Sequence, residues 1–220
     1  MCFSATANFV GSGVLAAVGV VTLTQVKHRR ELLFASLPTL FAFHQLIEGF
    51  VWLGLDGYIS PSTMQTMGAA FMLYAQGLLP LLIPLSVFLF EPTSKARNRM
   101  APFVLIGTGV SLYMLRALIL YPVQIYLRGD SIVYINQGTN NTTLAILYVV
   151  ATCGSLFFSK VKDMVLFGAA NLTILLVVMA FKRYAFTSLW CAYAAIASII
   201  ILAYFWKSAG IRPFKYATAI

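Results

Sequence analysis

Apolar residues run along this chain in long stretches, broken by short polar or basic turns. Several stretches reach about 20 residues, the length a helix needs to cross the hydrocarbon core of a bilayer. The pattern predicts seven such helices, over residues 4–26, 32–55, 64–90, 100–122, 142–159, 164–181 and 187–206. The expected fold class is all-α: a seven-transmembrane-helix bundle forming one domain over residues 1–220. Between the fourth and fifth runs, residues 123–141 are polar at both ends around a Ser-Ile-Val-Tyr-Ile core. That stretch predicts a short hairpin or interfacial segment capping the bundle. No internal repeat of the inverted-transporter kind is visible.

Details inside the runs sharpen the picture. The first is rich in small residues, Gly11, Gly13, Ala16, Ala17 and Gly19, which let neighbouring helices approach closely and predict a place inside the bundle. Its first turn is polar, with Ser4, Thr6 and Asn8. Pro38 predicts a kink in the second run. Pro80 and Pro84 in the third free backbone carbonyls, which must find other partners.

Composition agrees. The 220 residues are 60% hydrophobic and 10% charged, with a mean hydropathy of +0.87. A soluble domain carries about 25% charged residues, so a lipid bilayer is the expected partner. The net charge of +9 would point to nucleic acid in a soluble protein. Here it falls mostly in short loops, and no nucleic-acid role is expected. Eleven basic residues, Lys27, Arg29, Arg30, Lys95, Arg97, Arg99, Lys160, Lys162, Lys207, Arg212 and Lys215, share one predicted side. Three, Arg128, Lys182 and Arg183, share the other. That asymmetry predicts an N-terminus outside and a C-terminus in the cytoplasm. Cys2, Cys153 and Cys191 form neither a zinc nor a redox spacing, so no disulfide framework is expected. No basic n-region with a cleavage site opens the chain, and the first apolar run is expected to be retained.

The candidate chemistry lies in the second run, within Phe41-Ala-Phe-His-Gln-Leu-Ile-Glu-Gly-Phe-Val-Trp52. His44 and Glu48 are four residues apart and Trp52 four further, so all three share a helical face. Ionisable groups in so apolar a segment are costly to bury and are functional candidates. The bland alternative is a carboxylate paired with a base to lock two helices. With the predicted topology, Glu48 and Arg116 each lie about 9 Å below the outer surface, on helices of the same direction. A Glu48–Arg116 pair follows as an expectation. Ser4 and Asn8 enter the same outer half, as do Ser188, Trp190 and Cys191, while Gln76 and Asn171 lie near the midplane. These depths predict a polar pocket open to the outside. Its expected lining is His44, Glu48, Arg116, Trp52, Gln76, Ser4, Asn8 and Trp190. The bland alternative here is polar side chains that only glue helices together.

The opening Met1-Cys-Phe-Ser-Ala-Thr-Ala-Asn-Phe9 resembles the start of an uncharacterised family of bacterial integral membrane proteins, whose members begin MCFSATASF. Glu48-Gly-Phe-Val-Trp-Leu-Gly-Leu55 and Ser188-Leu-Trp-Cys-Ala-Tyr-Ala-Ala195 are similar to later motifs of that family. The resemblance spans essentially the whole chain and implies a multi-pass protein of the bacterial inner membrane. It brings no established activity. The family pattern often has Gln where this chain has His44, which weakens any mechanism resting on His44 alone.

Three classes of function remain. The first is a protein that binds or transports a small polar solute or a lipid headgroup in the outward pocket. The second is a membrane-embedded hydrolase acting on a lipid-like substrate, or a thiol enzyme with Cys2 or Cys191 as nucleophile; a free N-terminal Cys2 could use its own amine as base. A zinc hydrolase is disfavoured, because His44 with Glu48 cannot complete a ligand set, and no metal site is expected. The third is a sensor or structural subunit. A retinal protein is disfavoured because the seventh run has no mid-membrane Lys, and the sequence specifies no other cofactor and no oligomeric state.

Overall fold

The computed structural model describes the backbone of residues 4–181 and 186–211, and side chains within 4–177 and 195–207. Among these residues the chain forms helical rods and one hairpin. The first rod is α1 (Ala5–Thr24), capped by the Ser4 hydroxyl, which accepts from the Ala7 N–H at 3.2 Å. A short 3-10 turn leads into α2 (Leu32–Leu55), which contains Pro38. The third rod is composite: α3 (Pro61–Met72), a π-turn (Leu73–Leu78) and α4 (Leu79–Phe90). Then come α5 (Ser94–Leu120), strands β1 (Gln124–Arg128) and β2 (Ser131–Ile135), and a second composite rod. That rod is α6 (Thr142–Val149), a π-turn (Val150–Gly154) and α7 (Ser155–Phe157). Helices α8 (Lys162–Phe181) and α9 (Phe186–Ile211) follow.

Four of the described rods are long and apolar enough to cross a membrane: Ala5–Thr24, Arg29–Leu55, Pro61–Phe90 and Ser94–Leu120. Thr142–Phe157 is a shorter apolar stretch. The basic segment expected as a loop over 91–99 is instead largely the first turns of α5. Thr93 caps that helix, its hydroxyl accepting from the Ala96 N–H at 3.3 Å.

α1 and α2 pair closely along much of their length, and small residues explain it. A Cβ at Gly19 would overlap Thr39, including its backbone nitrogen at 2.7 Å, and one at Gly49 would meet the Phe9 ring at 2.7 Å. The Ser12 hydroxyl donates to the Ala42 carbonyl at 2.9 Å across the same seam. Yet α1 is not the interior helix its composition predicts. Only one face packs, against α2 and α9, while Val10, Val14 and Val20 are exposed. Close approach needs one small-residue face, and the valines on the other face suit lipid.

The third rod carries Pro80 and Pro84 just beyond its π-turn. Carbonyls in and beside its π-turn take bonds from side chains on three other helices. The Phe71 carbonyl accepts from His44 Nε2 at 3.2 Å, and the Ala75 carbonyl from the Tyr148 hydroxyl at 2.9 Å. The Gly77 carbonyl accepts from the Ser111 hydroxyl. The Pro80 carbonyl faces Gly107 of α5, where any Cβ would overlap it.

The hairpin caps one end of the bundle. β1 and β2 pair antiparallel, with Gln124 opposite Ile135 and Arg128 opposite Ser131. Gly129 turns the corner at φ +60, a conformation that favours glycine. β2 buries Ile132, Val133 and Tyr134, whereas β1 is mostly exposed. Gln65 Nε2 donates to the Val123 carbonyl at 2.6 Å, and Asn136 Nδ2 to the Tyr121 carbonyl at 2.7 Å, pinning both ends of the cap. Beneath it, Val51, Trp52, Phe71, Met72, Ile132 and Tyr134 form a hydrophobic cluster distinct from the larger core further along the bundle.

Candidate functional site

The buried face of α2 carries Phe41, His44, Gln45, Glu48 and Trp52 at helical spacing. α1, the third rod and α9 all pack on this helix, so its polar residues are enclosed from several sides. Glu48 has 0% of its surface exposed and His44 only 3%. From α1, Asn8 meets this face: its Oδ1 accepts from Gln45 Nε2 at 2.7 Å, while its own Nδ2 donates to the Ser4 carbonyl at 3.0 Å. Gln45 Oε1 and Trp52 Nε1 are buried without a hydrogen-bond partner among the described residues.

His44 is held from the other side. Its Nε2–H donates to the Phe71 carbonyl, and its ring stacks on Phe71 at 4.0 Å and lies 4.6 Å from the Tyr74 ring. Phe71 stacks in turn on Tyr134 of the hairpin at 4.4 Å. A continuous pile of rings therefore joins His44 to the cap.

Of the residues singled out from sequence, Asn8, held by the Ser4 carbonyl, meets α2 from α1, whereas His44 turns to the third rod, Trp52 joins the cluster beneath the hairpin, and Glu48 is buried on the same face of α2. Ser4 serves there through its carbonyl and its capping hydroxyl. Gln76 stands in the π-turn, half-buried, with Oε1 lacking a partner among the described residues. Arg116 corrects an expectation: it is exposed on α5, whereas Glu48 is fully enclosed, so the expected ion pair is not made. α5 packs on α4 and the two π-turns, a contact that turns Arg116 away from the bundle. Trp52 packs with the hairpin's Ile132 and Tyr134 at the hairpin end of the bundle. Cys2, Trp190 and Cys191 lie outside the described side chains.

Sequence reasoning passed over Gln45, the amide that ties α2 to α1. Its signal was present: a second polar residue beside His44, three before Glu48, inside an apolar run. Deeper in the bundle, Phe41, Leu79, Ile83, Tyr148, Thr152, Phe167 and Asn171 line a cavity with room for about one water. Asn171 is buried there with Oδ1 unpartnered among the described residues. Among the described residues no three His, Cys, Asp or Glu side chains converge as a metal site.

Four described helices long and apolar enough to cross a membrane, in a chain that is otherwise almost wholly helical, are compatible with one class: an all-α membrane protein. Within that class the chain belongs to the family described as "Family of unknown function (DUF6629)", whose model matches residues 1–215. No curated protein and no solved structure matches the chain.

Proposed function

We propose that this is a seven-span protein of the bacterial inner membrane, with its N-terminus outside. In this reading the α1–α2 seam is an outward-facing site that binds or transports a small polar solute or a lipid headgroup. The observation that carries it is the full burial of Glu48 on the α2 face that also carries His44 and Gln45, with the Trp52 N–H and the Gln45 Oε1 unused by described neighbours. A carboxylate in hydrocarbon surroundings is costly, and pure helix glue would have been served by amides alone. The spare donor and acceptor suit a ligand with both kinds of group. The hairpin is then the cover of an occluded state, and the ring pile from Tyr134 to His44 links cover to site. The test is native mass spectrometry of the protein released from nanodiscs made from its expression host's lipids. A retained small-molecule or lipid adduct should be present in wild type and lost in both Glu48→Gln and Trp52→Phe. Adduct patterns identical in all three would overturn the reading.

A further inference from the structure

We propose that Arg116 holds the phosphate of a membrane lipid against the outer surface of α5, at the end of the bundle that carries the hairpin. This goes beyond the Glu48 site and uses none of its residues. The buried face of α5 is made by Gly107, Val110, Ser111, Met114 and Ala117. The opposite face is an apolar stripe, with Leu105 73%, Leu112 64% and Ile119 84% exposed. These three are seven residues apart, close to two helical turns, and Arg116 sits between the last two on the same stripe. It is the only charged residue between Met100 and Leu120. It makes no hydrogen bond or ion pair among the described residues.

A guanidinium on a lipid-facing stripe has one inexpensive solution, which is to extend its stem toward the interface and meet an anion there. Arg116 lies four residues before the end of α5, about 6 Å of helical rise, within the reach of its own side chain. Its planar fork of donors matches a phosphate in a bidentate way, whereas a hydrated lysine would act only as a point charge. Tyr113 and Tyr121 flank it, both substantially exposed, and supply the aromatic girdle expected at headgroup level. A phosphate is favoured over a protein carboxylate because α5 carries no acidic residue and the stripe around Arg116 is apolar.

The experiment titrates delipidated, detergent-solubilised protein with phosphatidylglycerol, with a phosphate-free galactolipid of the same chains, and with inorganic phosphate, counting bound lipid by native mass spectrometry. Wild type should bind phosphatidylglycerol about tenfold more tightly than Arg116→Gln, with Arg116→Lys between them. The galactolipid should not distinguish wild type from Arg116→Gln. Inorganic phosphate at millimolar concentration should compete poorly. Equal phosphatidylglycerol binding by wild type and Arg116→Gln would overturn the proposal. Full competition by inorganic phosphate would overturn it in favour of a soluble anion, and an Arg116-dependent dimer would reassign the stripe to a second copy. Because Arg116 is exposed, the glutamine variant is expected to fold, and an unchanged melting temperature verifies this.

Discussion

Gln45 Nε2 donates to Asn8 Oδ1 at 2.7 Å, joining α1 to α2 through two fully buried amides. The bond lies within the close α1–α2 pairing, one turn from Glu48. It sets the relative height of the two helices that would line the site.

Breaking that bond from one side leaves a buried amide without its partner. Asn8→Ala or Gln45→Leu should each cost about 1–3 kcal/mol. The pair Asn8→Leu with Gln45→Leu should recover a coupling of about 0.6–1.7 kcal/mol, the range found for hydrogen bonds between membrane helices. Unfolding of the four proteins in mixed micelles measures the cycle, and strict additivity would mean the bond is not formed.

Two glycines of α1 should respond in opposite ways to the same substitution. A Cβ at Gly19 meets Thr39 backbone, whereas one at Gly13 meets nothing within 4 Å. Gly19→Ala should lose about 1–3 kcal/mol by overpacking. Gly13→Ala should be neutral or slightly stabilising, through its helix propensity. Melting temperatures of the two variants, compared in one detergent, decide it.

The hydrogen bond of His44 to the Phe71 carbonyl makes the chemistry of its replacement matter more than the size. His44→Leu removes the donor and orphans a buried carbonyl, at a cost of about 1–3 kcal/mol. His44→Gln retains an N–H and should lose less. If both variants melt together, the bond contributes nothing.

Glu48 and Arg116 should behave as strangers. One is enclosed and the other exposed on a helix that packs elsewhere. The losses from Glu48→Gln and Arg116→Gln should add to within about 0.5 kcal/mol, and a larger coupling would restore the ion pair.

Membrane orientation is open to a direct test at the hairpin tip. In a background without the native cysteines, Asp130→Cys should react with an impermeant maleimide on intact spheroplasts, while Lys95→Cys should not. The reverse pattern would place the hairpin and the α1–α2 site on the cytoplasmic side.

Much of this protein is dictated locally and so can be read along the chain. Apolar run length decides which segments form long helices, and Gly129-Asp130 between two β-rich runs decides the hairpin. The 3.6-residue period puts His44, Glu48 and Trp52 on one face wherever α2 goes. Depth along a helix is likewise a count of residues, and that count placed Glu48 and Arg116 at the same level. The direction in which a side chain leaves its helix is not such a count. α5 is rotated by what it packs on, the Pro80 carbonyl against Gly107 and Ser111 against Gly77, and that rotation sends Arg116 outward. The same holds for the π-turn of the third rod, where carbonyls in and beside the turn accept from His44, Ser111 and Tyr148 on three other helices. A pairing of equal depths is a one-dimensional statement, whereas contact needs two helices to turn matching faces toward each other, and only the packed bundle sets those angles.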